Sequence, residues 1–464
     1  MKSALALLSL YCSSVFALDL TQLQQQIDQG HYRQARIAIQ LAQSQRPAPD
    51  LQTRLGFELE RMRRIEMEFT LDEAGLKASV TRYLPTVTDT QFRQWLSQGR
   101  FEYKNIDGER RYFARAAYNL FQTDEAARAL LPDHQRFTDK APLYWLHPHH
   151  EAVLQAETPP NRQFEVTYSL TVKADAVPDG ERVRVWLPFP QELPGEQTGV
   201  ELLSTSHTGF QLAPNGTPQR TLYMEAVARA GEPTHFSQRY RFVSHAKGAT
   251  VDADAVEPLA PADPARAWLG ERAPHIQFTP ALKALSAQLV GLESNPYRIA
   301  QRLFAHVDSI PWASAREYST IRNISDYAHR MGHADCGQQT LLLITLLRLN
   351  GIPARWQSGW EFGPGNFDTM HDWGEFYLPP YGWLPMDVTH GQLESDNPAL
   401  RWFYLGRLDA YRLIFNTDYS QPLVPAKQHV RSETVDSQRG EVEWRGGNLY
   451  FEQWRYKMEW QLVE

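Results

Sequence analysis

The stretch Gly332-His333-Ala334-Asp335-Cys336-Gly337-Gln338-Gln339-Thr340-Leu341-Leu342-Leu343-Ile344-Thr345-Leu346-Leu347, closed by Leu349-Asn350-Gly351-Ile352-Pro353-Ala354-Arg355, decides the fold. Its apolar run requires a long buried helix. Leucine favours helix, and Gly351 with Pro353 just beyond is a stop signal. The spacing predicts a helix over 337–350 that begins directly after Cys336. The sulfur then lies at a helix N-terminus, where unpaired N–H groups and the macrodipole favour an anion. Thiols in such places titrate at about 3.5–7.5 instead of about 8.5.

Two later residues extend this reading. His371 opens a strand-like run, His371-Asp372-Trp373-Gly374-Glu375-Phe376-Tyr377, and Pro379-Pro380-Tyr381-Gly382 turns the chain into Trp383-Leu384-Pro385-Met386-Asp387-Val388. Two strands joined by a short Pro/Gly turn are expected to be neighbours in one sheet. His371 and Asp387 then face each other. Strand alternation sends Asp372 to the face opposite His371, so it cannot orient the imidazole, whereas Trp373 and Glu375 share the His371 face. Asp387 is the expected orienting acid and Glu375 the reserve. Cys, His and Asp fit a nucleophile, a general base and a residue that holds the base.

These motifs together resemble the core of the transglutaminase-like superfamily, over roughly 265–415, about a third of the chain. The resemblance implies an α+β, papain-like core with a Cys-His-Asp triad. Carried over by motif, Cys336 is the nucleophile, His371 the base and Asp387 the orienting acid. The superfamily includes protein cross-linking enzymes, peptidases and amidases, and peptide deglycosylating enzymes. Many cross-linking members carry an aromatic residue directly after the nucleophile. This chain has Gly337 there, which favours hydrolysis over cross-linking.

The chain has 464 residues, 42% apolar and 22% charged, enough for several domains and a sizeable core. A formal net charge of −7 gives no basic excess for nucleic acid. Residues 1–17 read as a secretory signal: Lys2, the apolar Ala4–Val15, and Val15-Phe16-Ala17 as a small-residue cleavage site. The apolar run is short of the ~20 residues of a spanning helix. The protein is therefore expected to be exported, periplasmic or secreted, without stable membrane insertion after signal removal. Of its two cysteines, Cys12 leaves with the signal. Cys336 remains as a single thiol in an oxidising compartment, which calls for burial or use.

Around the core, 18–157 is expected to be a helical domain, with helical spacing at 20–27, 32–45, 51–69 and 113–131. Its His147-Pro148-His149-His150-Glu151 cluster reads as a solvated loop, since Pro148 interrupts it and no further ligand set is near. Period-two alternation follows at 164–172, 183–189, 199–204, 220–227 and 236–243, so an antiparallel β-sandwich is expected over 162–248. Residues 251–275 read as a linker, and 279–292 and 296–307 as helices. Trp312 and Tyr318 lie upstream of the nucleophile and, with Trp356, Trp360 and Trp373, are the candidates for the cleft or for an oxyanion donor. Gly363–Asp368 is either a mobile rim of that cleft or a plain turn. His333 precedes Cys336 by three residues, but two ligands are too few for a metal. The tail 428–464 is expected to form a β-hairpin, Glu441–Trp444 against Leu449–Leu462, added to the core sheet or to the sandwich.

The expected activity is cleavage of amide or peptide bonds through a thioester on Cys336, with a peptide or protein as substrate and no metal or organic cofactor. Glutamine cross-linking or deamidation is the second expectation, and a catalytically silent binding scaffold the third. Substrate identity and oligomeric state lie beyond the sequence.

Overall fold

The computed structural model describes residues 18–132, 147–363 and 367–463; the expected signal at 1–17 and the centre of the 363–368 loop fall outside them. The chain divides into two compact units, Met1–Lys77 with Glu102–Ala114, and Ala78–Phe101 with Arg115–Glu464.

The first unit holds α1 (Leu20–Asp28), α2 (Tyr32–Ser44) and α3 (Pro49–Glu68), and a small hairpin of β1 (Tyr103–Ile106) and β2 (Glu109–Tyr112). Asp107-Gly108 turns this hairpin, both with positive φ. The hairpin interrupts the expected 18–157 helical domain, and α4 (Glu73–Tyr83) crosses from one unit into the other.

In the second unit, α5 (Asp89–Ser97), α6 (Ala116–Thr123) and α7 (Glu125–Arg128) precede α8 (His147–Gln155). The helix expected over 113–131 is broken at Asp124, whose side chain caps α7. The histidine cluster is helical and not a solvated loop. His150 is fully buried against Phe403, with Nε2 2.9 Å from the Tyr404 hydroxyl, and His149 Nε2 accepts the Ala410 N–H. Apolar neighbours on the partner segment outweigh the local polarity that suggested a loop.

The sandwich is built from β3 (Asn161–Val172), β4 (Arg182–Pro188), β5 (Gln197–Thr205), β6 (Phe210–Leu212), β7 (Thr221–Val227) and β8 (Thr234–His245), after which β9 (Lys247–Gly248) leads out. Then come α9 (Pro280–Val290), α10 (Pro296–Asp308), α11 (Ile324–Met331) and α12 (Cys336–Leu349). The core sheet uses β10 (Ala354–Gly363), β11 (Phe367–Leu378), β12 (Gly382–Met386) and, beyond α13 (Pro398–Arg401) and β13 (Arg407–Leu408), β14 (Arg412–Asn416), in the order β12-β11-β10-β14. The tail supplies β15 (Glu441–Trp444), β16 (Gly447–Leu449) and β17 (Trp454–Val463).

These last strands close the sandwich. One sheet runs β16-β15-β4-β7-β6 and the other β17-β3-β8-β5. The tail is thus not one hairpin: it breaks at a 3₁₀ turn, Phe451–Gln453, and β17 crosses to the facing sheet. The inward residues of β17 and β3 follow the expected alternation, with Met458 opposite Tyr168 and Trp454 opposite Val172. The sandwich core also takes in Trp360 and Phe362 of β10 and Leu413 and Phe415 of β14, so sandwich and core sheet share one apolar interior.

Helix α12 is buried on all sides from Gly337 to Arg348, as a helix apolar around its circumference must be. Asp335 caps it. Its side chain accepts the Gln338 N–H at 3.1 Å, and Gln338 Oε1 accepts the Asp335 N–H at 3.3 Å, a reciprocal capping box. Gly351, with φ +73°, ends it.

Candidate functional site

The register of the core sheet fixes which side chains meet. β10 and β11 pair with Gly359 opposite His371 and Ser358 opposite Asp372. Directly opposed residues share a face, so Ser358 and Asp372 lie on one side and Gly359 and His371 on the other. Gly374, on the Asp372 side, would meet Ile344 of α12 if it carried a Cβ. The helix therefore covers the Asp372 face.

On the His371 face the sheet carries a dry charge network. His371 Nε2 lies 2.8 Å from Asp387 Oδ2, as the facing strands predict. Arg412 Nη1 reaches the same oxygen at 2.8 Å and Glu361 Oε2 at 3.3 Å. His390 Nε2 lies 2.6 Å from Glu361 Oε2, and Arg412 Nη2 bonds Asp409 at 2.9 Å. All six are buried. Burial alone would push the His371 imidazole down, but Asp387 and Glu361 reverse this and hold it above its ordinary value. Burial likewise opposes the Glu361 charge, yet His371 and His390 beside it bring that carboxyl down to about 2. Asp387 is held far below the carboxylate range by the same neighbours against its burial.

Glu361, His371, Asp387 and His390 could in principle hold a metal, since one ligand atom from each lies within 4.8 Å of the others. The Arg412 guanidinium already contacts both carboxylate oxygens that would ligate. It supplies the cation, and the set reads as an ion network.

Cys336 is half-buried at the N-terminus of α12. Its Sγ donates to Asp372 Oδ2 at 3.3 Å. Among the described residues no hydrogen bond joins Cys336 to His371. The structure thus brings two of the three expected residues together, His371 and Asp387, and seats the third against Asp372. Burial, then the Asp372 and Asp335 carboxylates, push the thiol well above its ordinary range, overriding the helix N-terminus that was expected to lower it.

A cleft of about 270 Å³ opens beside the sulfur, walled by Arg115, Trp312 and Ser314–Ser319, by Asp335, Thr369, Met370 and Asp372, and by Ser432–Asp436 with Gln438 and Arg439. Two of the five aromatic candidates line it, Trp312 and Tyr318. The Tyr318 hydroxyl donates to Asp335 Oδ1 at 2.9 Å and lies 3.4 Å from Asp372 Oδ2. Trp356, Trp360 and Trp373 do not line it. They are buried with their indole N–H groups committed to Ser358, the Gln438 carbonyl and Gln357. Glu375, the reserve orienter, is tied to Lys247 and Arg355 and makes no bond to His371.

Sequence reasoning missed Asp372, Asp436, His390 and Arg412. Asp372 was within reach: the alternation that removed it from the His371 face put it on the face that α12 must cover. Asp436 sits in a stretch without periodicity, and nothing in the sequence ties it to Cys336.

Residues 283–388 match the family model of the transglutaminase-like superfamily, a span that contains Cys336, His371 and Asp387. No curated protein matches the chain. Among solved structures, a candidate cysteine protease from Cytophaga hutchinsonii is similar at 14% identity, covering 66% of this chain and 92% of its own, with a TM-score of 0.42. A candidate protease from Parabacteroides distasonis is similar at 10% identity, covering 56% and 69%, with a TM-score of 0.20.

Proposed function

We propose that this protein is an exported thiol acyl-transfer enzyme that cleaves amide or peptide bonds through a thioester on Cys336. The observation that carries the reading is a half-buried thiol at a capped helix N-terminus, open to a cleft, with a histidine–carboxylate couple on the adjoining strand. The superfamily match over 283–388 supports it.

In this reading the sulfur turns from Asp372 toward His371 when an acyl donor fills the cleft. Contacts between a nucleophile and its base are often completed only once substrate is bound. The thiol proton passes to His371 as sulfur attacks the carbonyl carbon. The imidazolium then protonates the leaving amine as the C–N bond breaks, and a thioester remains. Water, deprotonated by His371, releases the acid and restores the thiol. Asp387 holds the ring and stabilises its cationic form, as Arg412 holds Asp387. The Cys336 backbone N–H is one oxyanion donor.

The test uses the full chain and a library of peptides and peptide amides, with and without hydroxylamine, read by mass spectrometry. Cleavage, and hydroxamate products in its presence, are expected from the wild type and absent from Cys336→Ala. Incorporation of an added amine into protein glutamine, without peptide cleavage, would replace hydrolysis by cross-linking. A chain that yields neither is the binding scaffold.

A further inference from the structure

Asp372 is buried, and its carboxylate collects donors. Cys336 Sγ reaches Oδ2 at 3.3 Å, Gln438 Nε2 reaches Oδ1 at 2.9 Å, the Tyr318 hydroxyl stands 3.4 Å from Oδ2, and the Asp436 side chain hydrogen-bonds to it as well. An ionised carboxylate offers about four acceptor sites, and one of those taken here is taken by the thiol itself, while the Tyr318 proton is already given to Asp335. Asp436 is buried too and lines the same cleft. Two carboxyl groups in contact away from water do not both ionise. With Asp372 accepting the thiol hydrogen, the proton between the two carboxyls belongs on Asp436.

We propose that Asp372 and Asp436 share one proton and lock Cys336 in its thiol form in the resting site, Asp372 by direct contact and Asp436 as a positioning residue acting through Asp372. This rests on Cys336 being the nucleophile and goes beyond the three residues of the proposed triad.

The surrounding charges agree. Facing Asp372 are Cys336, Asp335 and Tyr318 across the cleft and His371 along its own strand. His371, when protonated, draws Asp372 toward ionisation, and Arg115, Arg316 and Arg439 line the same cleft. Burial raises Asp372, against His371 and the hydrogen bond from Cys336, which favour its charged form. Burial, Asp372 and Glu433 raise Asp436 much further, against Arg439 and Arg431. Arg439 is already engaged by Glu317 and Glu433. Loss of the thiol proton would set a second anion against Asp372 and remove one of its donors. Turning the sulfur away from Asp372 relieves both penalties, which makes movement toward His371 the step that frees the nucleophile.

The test is the rate at which iodoacetamide alkylates Cys336 in the full chain between pH 5 and 10, followed by peptide mapping. Asp372→Asn is expected to lower the midpoint by about one pH unit or more, so that labelling at pH 8 quickens about tenfold. Equal or slower labelling overturns the lock and makes Asp372 a helper of ionisation instead. If Asp372→Asn loses its fold by circular dichroism, Asp372→Ser, smaller and neutral, takes its place. The Asp436 part is read by infrared spectroscopy at pH 8.5. A protonated-carboxyl band present in the wild type and lost in Asp436→Asn supports the shared proton, and no such band in the wild type overturns it. Quickened labelling in a chain that cleaves no peptide upholds the lock and removes the enzyme reading alone.

Discussion

Gly337 and Tyr318 occupy adjoining space. A Cβ on Gly337 would come within 2.7 Å of Asp372 Oδ2 and closer still to the Tyr318 hydroxyl. The residue after Cys336 is glycine because a tyrosine and a carboxylate are packed onto the first turn of α12.

Gly337→Ala should therefore run against helix propensity. Alanine in a helix ordinarily gains about 0.5–1 kcal/mol over glycine. Here Tyr318 cannot yield without breaking its bond to Asp335, and overpacking of this kind costs about 1–3 kcal/mol. Urea denaturation should show a net loss of stability. A gain would mean that Tyr318 moves freely.

Asp335 separates two roles. Asp335→Ala removes the α12 cap and should lose about 1 kcal/mol of stability. Asp335→Asn keeps a capping oxygen while deleting one of the carboxylates that oppose thiol ionisation. At pH 8 the Asn variant should unfold at or above the wild-type denaturant concentration and alkylate faster at Cys336. Equal losses in both variants would show that the charge, and not the cap, holds the helix end.

Arg412→Met should cost about 3 kcal/mol or more, because it strands Asp387, Asp409 and Glu361 in a dry interior. Arg412→Lys should recover only part of this, since one ammonium cannot replace a fork shared among three carboxylates. Full recovery by Lys in equilibrium unfolding would reduce the network to simple charge balance.

Stability should fall as the pH rises from about 6.5 to 8. His371 is raised in the folded protein, so its contribution is complete below the ordinary 6.5 and is lost as the pH climbs through its folded value. Asp335, raised to about 7 by burial and by Asp372, acts in the same direction. The depressed histidines, His149, His207, His275 and His306, oppose this only at the lower edge of the window, because their contribution is complete soon above the ordinary 6.5. Burial holds His275 down to about 4, and its contribution is lost only as the pH drops below 6.5. Glu361, at about 2, loses its contribution only in strong acid. Each group contributes up to about 1.4 kcal/mol per pH unit. A free energy of unfolding that is higher at pH 8 than at 6.5 would contradict the assigned directions.

The core was legible where local rules and tertiary packing agree. The Leu-rich run, its stop at Gly351 and the turn at Pro379–Gly382 each have one solution, and they placed α12, β11, β12 and the His371–Asp387 contact. The sulfur's partner was not legible. Helix position predicts a lowered thiol, but that effect is a fraction of a charge at the helix end, while Asp372 brings a full anion to 3.3 Å. The tail misled for a different reason. Trp454 to Leu462 alternates as cleanly in a hairpin arm as in a strand of the opposite sheet, and alternation carries no record of which neighbour a strand takes.

β17 lies against β3, with Trp460 opposite Val166 nearly three hundred positions earlier, and the cleft wall at 432–439 comes only just before it along the chain. During synthesis, both sheets of the sandwich wait with open edges while the thiol helix and core sheet are already in place. The Cys336 sulfur has two sides of its cleft early and waits for the last, so the cleft is complete only once 432–439 has been made.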